Sequence, residues 1–159
     1  MKNDYTLDFV IPSGPTGPTG PAGLPSLCFV KFADITSSGN MTIDETKIFP
    51  NGTSDYIVTS DTVTIQESGN YEVTFCGKID TNSANTVVEV KLMGEMSGTT
   101  MELPGMSGKW KDGTQMIHFS QTSVYQFQST MVFHVVVTLA ASTNFQVSAI
   151  NLIIKKLPF

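Results

Sequence analysis

Charged residues are scarce in this sequence, making up 14% of its 159 residues, and the net charge is −5. No basic cluster exceeds the pair Lys155–Lys156, which argues against nucleic-acid binding, because such proteins carry extended basic patches. Hydrophobic residues make up 40% of the chain, whereas intrinsic disorder requires low hydrophobicity together with high net charge. The chain is therefore expected to fold, and one domain is the default at this length.

Long hydrophobic runs are also missing. No segment reaches the roughly 18 consecutive apolar residues that would predict a membrane span. Residues 1–12 lack the apolar stretch of a secretory signal, so we expect the protein to be made and first assembled inside a cell.

Cysteine is limited to Cys28 and Cys76, which form no CxxC pair. A metal site would need further ligands nearby, so none is predicted. The sequence leaves two interpretations of the thiols open. In the first, the two thiols are reduced and partly buried. In the second, they form cross-links between chains in an assembled layer.

Motifs of catalysis are absent. There is no Gly-rich phosphate loop, no G-x-S-x-G elbow and no H-E-x-x-H pair. The two histidines, His118 and His134, both lie in strand-like stretches, which argues against a catalytic triad. We predict no catalytic residues, no metal and no cofactor, and hence a protein that is not an enzyme.

What is present near the start is a collagen-like period. In residues 13–25, SGPTGPTGPAGLP, glycine recurs at every third position: Gly14, Gly17, Gly20 and Gly23. Collagen needs this period because only glycine fits at the axis of three packed polyproline II strands. The segment spans only roughly 35–40 Å, which is too short to hold three chains together unaided. It is predicted to be a neck that a neighbouring part of the chain brings into register.

Residues 26–159 are typical of an all-β domain. Tyr71, Val73 and Phe75 alternate with polar residues, and Phe133, Val135 and Val137 share one face of a later segment. Closely spaced strands with turn signals between them predict a jelly-roll sandwich. Residues 94–114 are expected to form a long loop that carries the single tryptophan, Trp110.

Several predicted strands are apolar on both faces, which implies a second surface to bury. Packing of three copies around an axis would bury it and would also align three necks. The residues predicted to form this trimer contact are Tyr125, Phe127, Val132, His134, Val136, Ile150 and Leu152.

The leader, residues 1–12, has a strand pattern but no sheet of its own. Its apolar positions alternate along YTLDFVIP at Tyr5, Leu7, Phe9 and Ile11. An isolated strand is unstable, so docking onto a neighbouring trimer is predicted, by strand addition or by filling a groove. Anchoring to a different protein of a basal layer, and a disordered tag, are the alternatives.

This domain order resembles the complement globular head and tumour-necrosis-factor-like superfamily. The segment ESGNYEVTF, residues 67–75, is similar to its Gly-x-Tyr strand signature, and FQVSAINLIIKKL, residues 145–157, to its last strand. The resemblance implies a homotrimeric jelly-roll head.

The segment DFVIPSGPTGPTGP, residues 8–21, resembles the start of bacterial collagen-like spore-surface proteins of the Bacillus exosporium type. That resemblance implies a structural protein of the spore surface, laid down from the mother-cell cytoplasm, whose partners are itself and a spore-coat or exosporium anchor protein. The short neck suggests a repeating fibre or appendage subunit. A ligand-recognition head used in adhesion and a phage tail-fibre tip are the alternatives.

Overall fold

The computed structural model describes residues 25–50, 54–81, 87–111, 116–139 and 145–158. Every regular element within these residues is a β-strand. In chain order the strands are β1 (Leu27–Phe32), β2 (Gly39–Asn40), β3 (Ile43–Phe49), β4 (Tyr56–Val58), β5 (Val63–Ile65), β6 (Gly69–Thr81), β7 (Val87–Met96), β8 (Thr99–Lys111), β9 (Ile117–Phe127), β10 (Val132–Leu139) and β11 (Phe145–Lys156).

The strands form two antiparallel sheets that enclose one hydrophobic core. Sheet I has the strand order β3-β1-β11-β6-β9. Sheet II has the order β4-β5-β10-β7-β8, with β2 paired to β10. Adjacent strands in either sheet are mostly distant in sequence, so the chain crosses repeatedly between the sheets, as expected of a sandwich.

Strict alternation places the core side chains of the long strands. In β6, Tyr71, Val73 and Phe75 are fully buried while the residues between them are partly exposed. In β10, the buried residues include Phe133 and Val135. The alternation predicted for these two strands is confirmed, and each such side chain contributes about 1.5–3 kcal/mol through burial.

Strand β11 changes face part-way along. Its register against β6 shifts between Ser148 and Asn151, where Ala149 adopts a positive φ of 52°. Because a one-residue shift reverses the face of every later side chain, Ile150 and Leu152 point into the core and are 0% exposed. The prediction that these two residues form a trimer contact is wrong, since they have no surface to offer.

The many glycines and serines of residues 94–114 led us to expect a long loop, but residues 94–111 form strands. They complete β7 and form β8, joined by a tight turn at Ser97 and Gly98, while residues 112–114 lie outside the described residues. The two strands pair over most of their length, and Trp110 packs in the core with 4% of its surface exposed. Pairing with β7 therefore overrides the local composition, with an irregularity near Gly105, where φ is 77°.

The chain enters the sandwich at one end, here called the base. The Tyr56 hydroxyl donates to the carbonyl oxygens of Ser26 and Ile154, both at 3.2 Å, and burial raises its pKa to about 12. The Tyr71 ring packs edge-to-face against the Tyr56 ring. The ring centres of Tyr71 and Phe127 are 5.9 Å apart. Phe127 thus fills the core at the base, and its participation in a trimer contact stays a prediction.

The predicted leader residues and all four neck glycines lie outside the described residues. No helix long and apolar enough to cross a membrane occurs within the described ranges.

Candidate subunit interface

One row on the outer face of sheet I carries no charge over four strands. Strand register aligns outward residues of four adjacent strands into one cross-sheet row: Phe29, Ile153, Thr74 and Thr122. None of these four is charged, and the Thr74 and Thr122 hydroxyls lie 2.8 Å apart in a hydrogen bond. Thus a row of aromatic, aliphatic and hydroxyl side chains crosses the sheet.

Apolar side chains gather on this face towards the base. Leu27 pairs with Phe49 in β3, and Phe29 pairs with Lys47. Leu27, Phe29 and Ile153 are partly buried, whereas the Phe49 ring is 51% exposed. We call Leu27, Phe29, Phe49 and Ile153 the base patch.

The two edges of sheet I differ in charge. The β3 edge carries Asp44, Glu45 and Lys47, which form ion pairs: Lys31–Asp44 at 3.0 Å and Lys47–Glu45 at 2.7 Å. The β9 edge lies within residues 113–154, which contain no Asp, Glu, Lys or Arg. Exposed edges are commonly protected by charges, and the β9 edge lacks protection of this kind.

Side chains hold the β9 edge against β8 of the other sheet. The Gln121 amide accepts from the Ser107 N–H and donates to the Ser107 carbonyl, both at 2.7 Å. The Tyr125 hydroxyl donates to the Pro104 carbonyl at 2.5 Å. These contacts close the side of the sandwich and give it a fixed shape.

The Phe119 ring lies against Gly108 on the same side. A Cβ atom at Gly108 would come within 2.4 Å of that ring, so glycine permits the approach of β9 to β8. The ring also packs against Phe75, at 5.3 Å between centres.

A groove of about 260 Å³ opens where this side of the sandwich meets the base. The groove contains no charged side chain. Its lining is Met96, Met101, Leu103, Pro104, Tyr125, Gln126, Phe127, Gln128 and Met131. We call it the methionine groove.

The outer face of sheet II is charged by contrast. Lys91 pairs with Glu89 at 3.2 Å and with Glu102 at 3.0 Å, and Lys109 also bonds Glu89. The hydrogen bonds from Lys109 and then Lys91 hold the pKa of the Glu89 carboxyl below its ordinary value. These charges satisfy one another at the surface, as on a solvated face.

No family model matches the chain, and no curated protein matches it in sequence. Solved structures do match in shape. Murine APRIL, crystallised at pH 5.0, superposes with a TM-score of 0.62 at 13% identity, over 84% of this chain and 100% of that one. Eiger TNF from S. frugiperda superposes with a TM-score of 0.63 at 10% identity, over 84% and 94%.

The fold is a tumour-necrosis-factor-like jelly roll. The predicted jelly-roll sandwich is confirmed by this likeness and by the two antiparallel sheets. At these identities the comparison establishes the architecture of the head.

The structure separates the residues predicted to form one trimer contact. Tyr125 is partly buried beside the methionine groove of the TNF-like head. Val132, His134 and Val136 lie partly exposed on the outer face of sheet II, paired with Glu95, Met93 and Lys91 of β7, respectively. Their participation in a trimer contact stays a prediction.

The two thiols have different surroundings. Cys28 is fully buried, and desolvation raises the pKa of its thiol to about 12, so it cannot serve as the predicted cross-link. Cys76 is partly exposed on the outer face of sheet I, next to Asn151 and Ser120 in register. Both are free thiols in the single chain.

A metal site was not predicted, and no group of three or more potential ligand side chains comes together in the described part of the chain. Sequence reasoning missed the β9 edge without protecting charges and the methionine groove. The signal for the edge was available, because the run of residues 113–154 without a charge is visible in the sequence.

Proposed function

We propose that this chain is the structural subunit of a self-assembling fibre on a bacterial spore surface. Three TNF-like heads form a trimer, three necks form a short triple-helical rod, and the leaders dock on a neighbouring trimer. The sequence resemblance to collagen-like spore-surface proteins supports the location, and the TNF-like fold supports the form of the head.

One observation carries the trimer: a strand edge without protecting charges and an uncharged row lie on the same sheet. β9 offers an edge without Asp, Glu, Lys or Arg, and the row from Phe29 to Thr122 offers an apolar and hydroxyl surface. If the β9 side of one head covers sheet I of the next, both surfaces are buried by one repeated contact. Such a heterologous contact makes a closed ring when its rotation closes.

The neck specifies three copies. A glycine at every third position serves a triple helix and has no use in a single strand. Ser26 is held at the base by the Tyr56 hydroxyl, so each neck leaves its head at the base. A three-fold axis running through three adjacent bases brings the necks together.

The leader supplies the fibre contact. Its alternating apolar residues, Tyr5, Leu7, Phe9 and Ile11, require a sheet or groove that the neck places at a distance from its own head. When three leaders bind together, the later contacts become intramolecular, so the overall avidity exceeds the affinity of each weak contact. Head-to-tail contacts that do not close on themselves produce fibres.

Adhesion through a ligand-binding head is the alternative function. The feature that favoured it was an exposed Trp110 in a long loop, but Trp110 is buried in β8. Without that side chain, no described feature singles out a ligand site of this kind.

A leader variant of the full chain tests the proposal. One variant replaces Tyr5, Leu7, Phe9 and Ile11 by serine, which removes the apolar face of the leader. The control variant replaces Thr6 and Val10, on the other face of the leader, by serine as well. We expect wild type and control to form filaments in electron micrographs, and the leader variant to remain as discrete trimers. Discrete trimers of the wild type would contradict the fibre, and monomers would contradict the trimer as well.

A further inference from the structure

We propose that the methionine groove of one head receives the base patch of the neighbouring head, with the Phe49 ring as its main occupant. This inference rests on the proposed trimer and names the surfaces that meet in it. The partner is therefore a second copy of this chain.

The groove has the chemistry of an apolar docking site. Met101 is 49% exposed at its rim, and Leu103 and Phe127 form buried walls. Methionine side chains adapt to the shape of an incoming group, and their sulfur atoms contact aromatic rings favourably. An aromatic ring fits such a lining better than a charged or strongly hydrated group.

The base patch offers such a ring. Phe49 is 51% exposed, at the end of β3, and the partly buried Leu27 lies beside it in register. Exposed aromatic anchors that enter a pocket of the partner commonly dominate the energy of an interface.

The groove and the patch lie at the same height in the sandwich. Leu27 pairs with both Phe49 and Lys155, and Lys155 is adjacent to the Lys156–Tyr71 pair. Tyr71 in turn pairs with Tyr125 of the groove. A rotation about an axis parallel to the strands moves no residue along that axis, so surfaces of equal height meet in a ring.

The groove and the patch are also on opposite edges of sheet I. Phe49 belongs to the edge strand β3 and Tyr125 to the edge strand β9. Across five strands, these edges are about 19 Å apart, at roughly 4.8 Å per strand spacing. One head therefore cannot fill its own groove, and each head both gives a patch and receives one.

Paired cysteines in the full chain test this contact. In a Cys76→Ser background, Phe49→Cys and Met101→Cys are introduced together, and Cys28 is left in the core. Since a disulfide requires Cα atoms within about 7 Å, the pair can only join different heads. We expect a covalent trimer on non-reducing gels after oxidation, and a monomer band from either single cysteine.

A matched pair gives the control. Phe49→Cys combined with His134→Cys, on the outer face of sheet II, should yield no covalent trimer. If the Phe49–Met101 pair links no better than this control while sedimentation shows a trimer, the docking is wrong and the trimer stands. If sedimentation shows a monomer, the proposed trimer itself fails.

A second measurement does not depend on disulfide formation. Phe49→Asp should raise the trimer dissociation constant at least about tenfold, because it places a charge in an apolar groove. Lys47→Asp, two residues earlier in the same strand, should change it less. Circular dichroism checks that both variants keep their β structure, and equal dissociation constants for the two would overturn the docking.

Discussion

The two outer faces of the sandwich differ in how their charges are placed. Each outward-facing row of sheet II across β10, β7 and β8 contains at least one charged side chain, such as Glu89, Lys91 or Glu95. Sheet I has a row from Phe29 to Thr122 without any charge across four strands. This row continues to Lys47 at the β3 edge and ends at the other edge in β9, which has no Asp, Glu, Lys or Arg.

Hydrophobicity alone does not identify the interface. Val132 and Val136 are aliphatic and partly exposed, yet they sit next to Glu95 and Lys91 of the paired strand. Interfaces are distinguished by depletion of charge at their centre, while bulk hydrophobicity distinguishes them poorly. By that criterion the stretch from Ile153 to Thr122 on sheet I is the better candidate for a subunit contact, whereas Leu27 and Phe29 pair with Lys155 and Lys47.

The largest expected effect comes from putting a charge into the uncharged row. Thr122→Lys should convert the trimer to monomers at micromolar concentration, because each copy would bury an unpaired ammonium group that costs several kcal/mol, about 3–5. Thr138→Lys on sheet II is the matched control, and it lies opposite Glu89. Sedimentation velocity distinguishes the two. A Thr122→Lys trimer as stable as the control would remove the contrast between the faces.

A smaller effect is expected where β9 is held against β8. Gly108→Ala should lower the free energy of unfolding by about 1–3 kcal/mol, because the added methyl group meets the Phe119 ring. Urea denaturation measures the loss. Adding Phe119→Leu should recover part of it by vacating the space, and a Gly108→Ala variant of unchanged stability would show that β9 is not fixed in this way.

Loss of the Gln121 contacts should cost less. Gln121→Ala leaves the Ser107 N–H and carbonyl without their side-chain partner, and we expect a loss of roughly 1–2 kcal/mol in urea denaturation. The exposed Thr100, on the outer face of sheet II, gives a control whose alanine variant should stay within about 0.5 kcal/mol of wild type. Equal effects of the two substitutions would argue against a role of Gln121 in closing the sandwich.

The smallest effect concerns the ion pairs of sheet II. Because Lys109 and Lys91 lower the pKa of Glu89 in the folded chain, the stability they supply is present above the ordinary Glu pKa and is lost as pH falls through the folded value. The amount is below about 1 kcal/mol for such surface pairs. Unfolding between roughly pH 3 and 5 should therefore depend less on pH in Glu89→Gln.

Glu95→Gln on the same face is the control for that measurement. Glu95 takes part in no ion pair with another described residue, so its variant should keep the wild-type pH dependence. If the pH dependence of unfolding decreased equally in both variants, the ion pairs of Glu89 would have no special contribution.

Much of the fold could be predicted from the sequence because strand alternation is local. In β6 and β10, the alternate apolar residues, such as Phe75 and Val135, are the buried residues of the core. In β11 the alternation predicted the wrong face for Ile150 and Leu152. The bulge at Ala149 reverses the face of every later side chain, and no residue pattern marks where the bulge occurs. In β8, glycines and Pro104 indicated a loop, while pairing with β7 made a strand.

The candidate interface was harder to predict, because it depends on which strands become neighbours. Phe29, Ile153 and Thr74 are far apart in sequence and meet only through the order of sheet I. The methionine groove likewise joins residues from the β7–β8 turn region with the end of β9. Such sites follow from topology, which the local pattern does not specify.

Sedimentation equilibrium of the full-chain variant with serine at the four leader positions measures whether the heads associate, since fibre growth is absent. We expect a single species at three times the chain mass of 17.2 kDa at micromolar concentration. A species at 17.2 kDa that remains soluble and folded would show that the outer face of sheet I needs no partner, and it would overturn the proposed trimer.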